Sequence, residues 1–360
     1  MPPHYDVFLC HKGDDTKRNL VSVLNGILRC RGISCFVDYE MSQGIEFEND
    51  IMEALNISRV HVVFLSPHFE TSTWYLNEVC EIMNLQNSAG TSELSPRKVI
   101  PIYCDVERLD ILKRAKDPKY REKRSSSHDR QRWGKAMEGL CHLEWFEYDS
   151  TTMLQWEALA KVAKEIEIFL TGDNSRSILP QQGQEYRRRT PAEDYDVFVC
   201  HGLDTKLNLA SVFCGMLHCK NITYFVPDEM DDEVSMTPHI EDAIKKSNVY
   251  VILLSPEFVR SKRCLDEVLQ IMSLRSSQGT SSITRRVLPI FYDVKPSSVR
   301  YQLPPYNLDR ATGGTDGERQ RWSESLKTLS SINGFEFQSG AMYFLFFPFL
   351  LFFFSCSICF

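Results

Sequence analysis

Val60-His61-Val62-Val63-Phe64-Leu65-Ser66-Pro67 is an apolar run closed by a turn, and Thr71-Ser72-Thr73-Trp74-Tyr75-Leu76-Asn77-Glu78-Val79 follows it. The run is short, rich in β-branched residues and almost continuously apolar, the pattern of a strand buried on both faces. The second stretch reads as a polar loop that turns into a helix. Leu76, Val79, Cys80 and Met83 recur at i, i+3, i+4 and i+7 and form its apolar stripe. Glu78 lies off that stripe. Read as a first-turn residue, it sits where the helix dipole favours an ionised carboxylate. That makes Glu78 the candidate catalytic acid, although a first-turn glutamate is in most proteins a simple complement to the dipole.

Outward from this stretch, strand and helix patterns alternate. Val7 to Cys10 is a strand, and Leu20, Val23, Leu24, Ile27 and Leu28 give a helical stripe. Ser34 to Val37 is a second strand, Ile51, Ala54 and Leu55 mark a short helix, and Val99 to Tyr103 is the fourth strand after Val60 to Leu65. Trp133, Met137 and Leu140 suggest a helix, Trp145 to Tyr148 a fifth strand, and Leu154 to Phe169 a closing helix. Such alternation predicts an α/β fold with a five-stranded parallel sheet and helices on both faces, in a flavodoxin-like order. Ligands in such folds bind beyond the carboxyl ends of the strands, where Glu78, His11-Lys12-Gly13 and the loop Asp38 to Ile45 fall.

The pattern occurs twice. Tyr5-Asp6-Val7-Phe8-Leu9-Cys10-His11 returns as Tyr195-Asp196-Val197-Phe198-Val199-Cys200-His201. Glu78 returns as Glu267, in Cys264-Leu265-Asp266-Glu267-Val268, and Arg130-Gln131-Arg132-Trp133 as Arg319-Gln320-Arg321-Trp322, both 189 positions on. Matches spread over about 130 residues indicate a duplicated domain, not a solenoid. The organisation read from the sequence is a domain over 4–170, a polar linker over 171–193, a second domain over 194–338 whose last helix has no counterpart, and a hydrophobic tail over 339–360.

The chain has 360 residues, 43% of them hydrophobic, and a formal net charge of −7. That balance argues against bulk attraction to nucleic acid or anionic membrane. The basic stretch Lys113 to Arg132 reads as a solvated loop and helix face, or else as a weak nucleic-acid or import patch. Cys10, Cys35, Cys80, Cys104, Cys200 and Cys214 sit in apolar strands or helices, as free thiols do in a reducing compartment. Cys356 and Cys359 have the Cys-x-x-Cys spacing but no partner ligands, so no metal site is expected. The opening Met1-Pro2-Pro3-His4 does not resemble a signal peptide, and the expected location is cytoplasmic. Residues 341–360 are uncharged and, as a helix, would span roughly 30 Å. They are either a membrane anchor or a translated non-coding stretch; Pro348 and the lack of flanking basic residues weigh against the anchor.

Tyr5-Asp6-Val7-Phe8-Leu9, Gly13-Asp14-Asp15-Thr16, Phe36-Val37-Asp38, Ser72 to Val79 and Ile100-Pro101-Ile102-Tyr103 together resemble a plant-type Toll/interleukin-1 receptor (TIR) domain. The second copy resembles it through Tyr195 to Val199, Asp204-Thr205, Cys264 to Val268 and Leu288-Pro289-Ile290-Phe291-Tyr292. The whole looks like a TIR–TIR protein without nucleotide-binding or leucine-rich-repeat domains. The resemblance implies an enzyme of immune or cell-death signalling that cleaves NAD to nicotinamide and ADP-ribose or a cyclic ADP-ribose, with NAD as substrate and no cofactor. It also implies homo- or hetero-association with other TIR domains. The alternative is a non-catalytic adaptor that only recruits such domains.

The family's catalytic glutamate corresponds to Glu78 and Glu267. Lys12 and Gly13 match an Arg-Gly pair and would meet phosphates or ribose, or simply form a capped loop. Trp74 matches a tryptophan beneath the acid, either an aromatic wall or core packing. Gly44 and Ile45 match the mobile loop after the second strand, which in the family helps close the active site. Ser22-Val23 and Ser211-Val212 replace the family's Ser-His, which puts its helix-to-helix dimer in doubt. The second copy has lost a residue at His201-Gly202-Leu203-Asp204, carries Pro227, Glu233 and Arg263 in place of Asp38, Gly44 and Trp74, and is expected to be weaker or inactive. A phospho-acceptor domain fits poorly, because the clustered acids after the first strand and the trailing lysine are missing.

Overall fold

A computed structural model describes residues 4–37, 47–88, 96–116, 126–172, 194–227, 236–276 and 285–339. The chain divides into two compact units, each built on its own sheet. In the first, β1 (Val7–Cys10), β2 (Cys35–Phe36), β3 (Val60–Leu65), β4 (Lys98–Cys104) and β5 (Phe146–Tyr148) are all parallel, in the order β2-β1-β3-β4-β5. This is the expected flavodoxin-like sheet. β3 has the predicted bounds and every residue buried, because it pairs on both sides and is covered on both faces.

The helices are α1 (Gly13–Thr16), α2 (Ser22–Cys30), α3 (Phe47–Ile57), α4 (Thr73–Ser88), α5 (Arg108–Lys116), α6 (Ser127–Leu140) and α7 (Gln155–Thr171). A π-helical turn over Lys17–Val21 joins α1 to α2. On one face of the sheet Phe8, Cys10, Val63 and Leu65 pack with Ile51 and Leu55 of α3, Tyr75, Leu76 and Val79 of α4, and Trp133 and Met137 of α6. The predicted stripe Leu76, Val79, Cys80 and Met83 is buried throughout. The basic stretch begins in α5 and ends in α6, with 117–125 outside the described residues. The helix α5 itself has no legible apolar period, since among its described side chains only Ile111 and Ala115 are buried.

The second unit repeats the plan. Its strands are β6 (Tyr195–His201), β7 (Tyr224–Phe225), β8 (Ser247–Leu254), β9 (Arg286–Tyr292) and β10 (Phe335–Phe337), parallel, in the order β10-β9-β8-β6-β7. Its helices are α8 (Leu203–Thr205), α9 (Ser211–Cys219), α10 (Pro238–Lys246), α11 (Lys262–Ser276), α12 (Pro296–Tyr301) and α13 (Asp316–Leu329). A π-helical turn, Lys206–Ala210, again precedes the helix α9. The tail 341–360 lies outside the described residues, as do the linker residues 173–193; among the described residues no helix is long and apolar enough to cross a membrane.

Candidate active site

In both sheets the strand order reverses beside the first strand, and its carboxyl end is the natural place for a ligand site. In the first unit that end is Cys10, followed by His11 and Lys12 and then α1. Thr16 Oγ1 donates to the Lys12 carbonyl at 3.4 Å. Among the described residues, a Cβ built on Gly13 would meet no heavy atom within 4 Å, so they leave the space beside this loop open.

α4 is aimed at the same edge. Ser72 caps it: its hydroxyl accepts from Tyr75 N at 3.2 Å and its carbonyl from Leu76 N at 3.1 Å. Tyr75 Oη donates to the Phe64 carbonyl at 2.9 Å, pinning the first turn to β3. Asn77 Oδ1 accepts from Trp133 Nε1 at 2.9 Å and Arg132 Nη2 at 2.6 Å, tying α4 to α6. With Thr73 as the first helical residue, Glu78 lies in the second turn, and no acid occupies the first. The dipole argument for its ionisation therefore fails, because the field of the helix end fades within one turn.

Glu78 is held by hydrogen bonds. Trp74 Nε1 donates to Oε1 at 2.7 Å, and the Cys10 thiol donates to Oε2 at 3.3 Å. Glu78 is 8% exposed, and its carboxyl group meets the carboxyl end of β1. Trp74 is 41% exposed, so it is not a core residue, and its indole stands at the solvent edge over the acid one turn on. Glu78, Trp74 and, through Cys10, the Lys12–Gly13 loop thus gather at one sheet edge; Gly44 and Ile45 lie outside the described residues. Sequence reasoning missed Cys10. A contact between residues 68 positions apart leaves no local pattern.

The second unit places Glu267 at the equivalent point of α11 but treats it differently. Glu267 is fully buried and paired with Arg263, which occupies the position of Trp74 and is itself 2% exposed. Burial pushes the Glu267 carboxyl up, and Arg263 pulls it only part of the way back. Arg263 Nη2 also donates to the His201 carbonyl at 3.4 Å. The loop after β6 is tight. Ser255 Oγ donates to Asp204 Oδ1 at 2.7 Å, and a Cβ on Gly202 would come within 2.9 Å of Asp204 and 3.3 Å of the Phe258 backbone. The open space beside Gly13 has no equivalent at Gly202.

Two segments of the chain, residues 4–183 and 194–345, match the family model described as TIR domain. The disease resistance protein RML1B of Arabidopsis thaliana is 31% identical over 147 residues, which is 40% of this chain and 14% of that protein. The disease resistance protein RUN1 of Vitis rotundifolia is 31% identical over 149 residues, 41% of this chain and 11% of that protein. The matched region is thus a small part of each relative's length. The TIR domains in the structure of the activated Roq1 resistosome directly recognizing the pathogen effector XopQ are 27% identical, over 39% of this chain and 87% of that one, with a TM-score of 0.34. Two family matches on two parallel five-stranded sheets, at plant-type motifs, give one conclusion: the chain belongs to the TIR domain family and carries two such domains in tandem.

Proposed function

We propose that the first TIR domain cleaves the bond between nicotinamide and ribose in NAD, with Glu78 as the reacting carboxylate. The observation that carries this reading is the carboxylate itself, held at the switch-point edge of the sheet by Trp74 Nε1 on one oxygen and Cys10 Sγ on the other. In the reaction the C1′–N1 bond breaks and its electron pair stays on nicotinamide, which leaves neutral and needs no general acid. Positive charge develops on the ribose carbon. A fixed carboxylate beside that carbon stabilises the oxocarbenium-like transition state more than the ground state. Capture by water gives ADP-ribose, and capture by a nucleophile of the same molecule gives a cyclic product. Trp74 offers the aromatic wall, and the open space beside Gly13, with Lys12 adjacent, suits the phosphate-bearing part of the substrate.

The second domain supports a different role. Its acid is paired with an internal guanidinium and sealed from solvent, so it is not suited to turnover. The names of the relatives place proteins with similar domains in disease resistance, and we infer a signalling role of that kind, exerted through TIR association. The test is nicotinamide release from NAD by purified, concentrated protein. Glu78→Ala should abolish it and Glu267→Ala should spare most of it. Release that survives Glu78→Ala would remove Glu78 as the reacting carboxylate, and no release from folded wild type would leave the adaptor reading in place for both domains.

A further inference from the structure

We propose that Cys10 is a positioning residue for the Glu78 carboxylate: its buried thiol, donating to Oε2, sets how the acid is presented at the sheet edge. The inference rests on Glu78 being the reacting carboxylate. Trp74 and Glu78 lie one turn apart on α4, so their bond moves with the helix and fixes the acid only relative to α4. The Cys10 bond is different in kind. It joins α4 to the last residue of β1, the strand at which the sheet order reverses. It therefore registers the carboxylate against the loop of Lys12 and Gly13. A thiol is a weak donor, but it is fully buried here, and a hydrogen bond to an ionised acceptor is stronger than a neutral one.

Among the described residues, the titratable side chains around this point come from three elements. They are Cys10 on β1 with His11 and Lys12 after it, Tyr75 on α4, and Tyr103 and Cys104 on β4, the last two and Cys10 all acting on Tyr75 together with Glu78. Burial pushes Tyr75, Tyr103 and Cys104 well up, so none of these three loses a proton where a carboxylate titrates. The second domain has the same cysteine, Cys200, one residue before the end of β6, yet there Arg263 pairs with the acid. In the first domain the residue one turn before the acid is instead Trp74, whose indole donates to it.

The competing role for Cys10 is packing, since it belongs to the apolar core of the first domain. Three variants of the full chain separate the two. Cys10→Ser keeps a donor, whereas Cys10→Ala and Cys10→Val remove it, and Val keeps the volume. The readouts are kcat and KM for nicotinamide release across pH, and titration of the Glu78 side-chain carboxyl carbon by NMR in glutamate-labelled protein, assigned with Glu78→Gln. Loss of a donor to the ionised form should move both the acidic limb and the carbon titration upward by about half a pH unit or more, and lower kcat with KM little changed. Cys10→Ser should restore wild-type behaviour. Wild-type titration and limb in both Cys10→Ala and Cys10→Val overturn the inference. Inactivity of the wild type defeats the catalytic reading instead, while the carbon titration still reports whether the thiol holds the acid.

Discussion

Replacing Arg263 with alanine strands Glu267 inside the second domain. The wild-type pair is 2% and 0% exposed, so neither group can turn to water without opening the packing between α11 and β6. The stranded carboxyl has two options at neutral pH: stay charged without a partner, or take a proton. Protonating a carboxyl of ordinary pKa 4.5 at pH 7 costs about 3 kcal/mol, and this route caps the electrostatic part of the loss. Arg263→Ala should thus destabilise the second domain by about 3 kcal/mol at pH 7, the size expected when a buried pair loses one member.

The pH dependence carries the sign. In the variant the native carboxyl titrates above the unfolded one, so the native state binds more protons. Wild-type Glu267 is itself raised, though less than in the variant, so stability relative to wild type falls as pH rises above the wild-type group's own titration range and recovers below it. The double variant Arg263→Met/Glu267→Leu, which removes both charges and keeps the volume, should lie within about 1 kcal/mol of wild type or above it. Urea denaturation, with hydrogen exchange read on peptides from β6 and α11, assigns the loss to this domain. A deficit under about 1 kcal/mol at pH 7, or one that does not change between pH 7 and pH 5, would refute the reasoning.

Three further outcomes follow. Trp74→Phe removes the indole donor from Glu78 Oε1 but leaves a half-exposed ring in place; a hydrogen bond to a charged group is worth roughly 1.5–3 kcal/mol, so nicotinamide release should fall on the order of 10- to 100-fold, with the melting temperature nearly unchanged. His61 is buried with Nε2 at 2.8 Å from the Leu55 carbonyl, and burial lowers its pKa to about 4, as it does for His201 in the other domain. The unfolded chain binds the extra protons below pH 6.5, so both domains should lose stability as pH falls from there toward 4, and calorimetry of His61→Gln should show a flatter decline for the first domain. Gly202→Ala should destabilise the second domain because its Cβ meets the Phe258 backbone, whereas Gly13→Ala, with open space around it, should leave folding unchanged in a denaturant melt.

Much of the fold could be read from the sequence because a buried parallel strand and an amphipathic helix write their environments into local periods. Val60 to Leu65 is bounded as expected, and the 189-residue offset places the second sheet without further argument. What escaped was whatever depends on tertiary approach. Glu78 lies off the apolar stripe yet is buried, because the edge of β1 comes over it. Its helix starts at Thr73, since Ser72 supplies the cap, and that moves the acid out of the first turn. Arg263 was legible as a departure at the Trp74 position, but nothing local shows that it turns inward onto Glu267. The helix α5 was missed for the opposite reason: it buries little and so shows little period.

The most direct measurement is the rate of nicotinamide release from NAD by the full chain at high concentration, compared among wild type, Glu78→Gln and Glu267→Gln. The account predicts release by wild type, its loss in Glu78→Gln with the fold intact, and near wild-type release in Glu267→Gln. Equal release by wild type and Glu78→Gln, or none from correctly folded wild type under any condition of concentration, would contradict it.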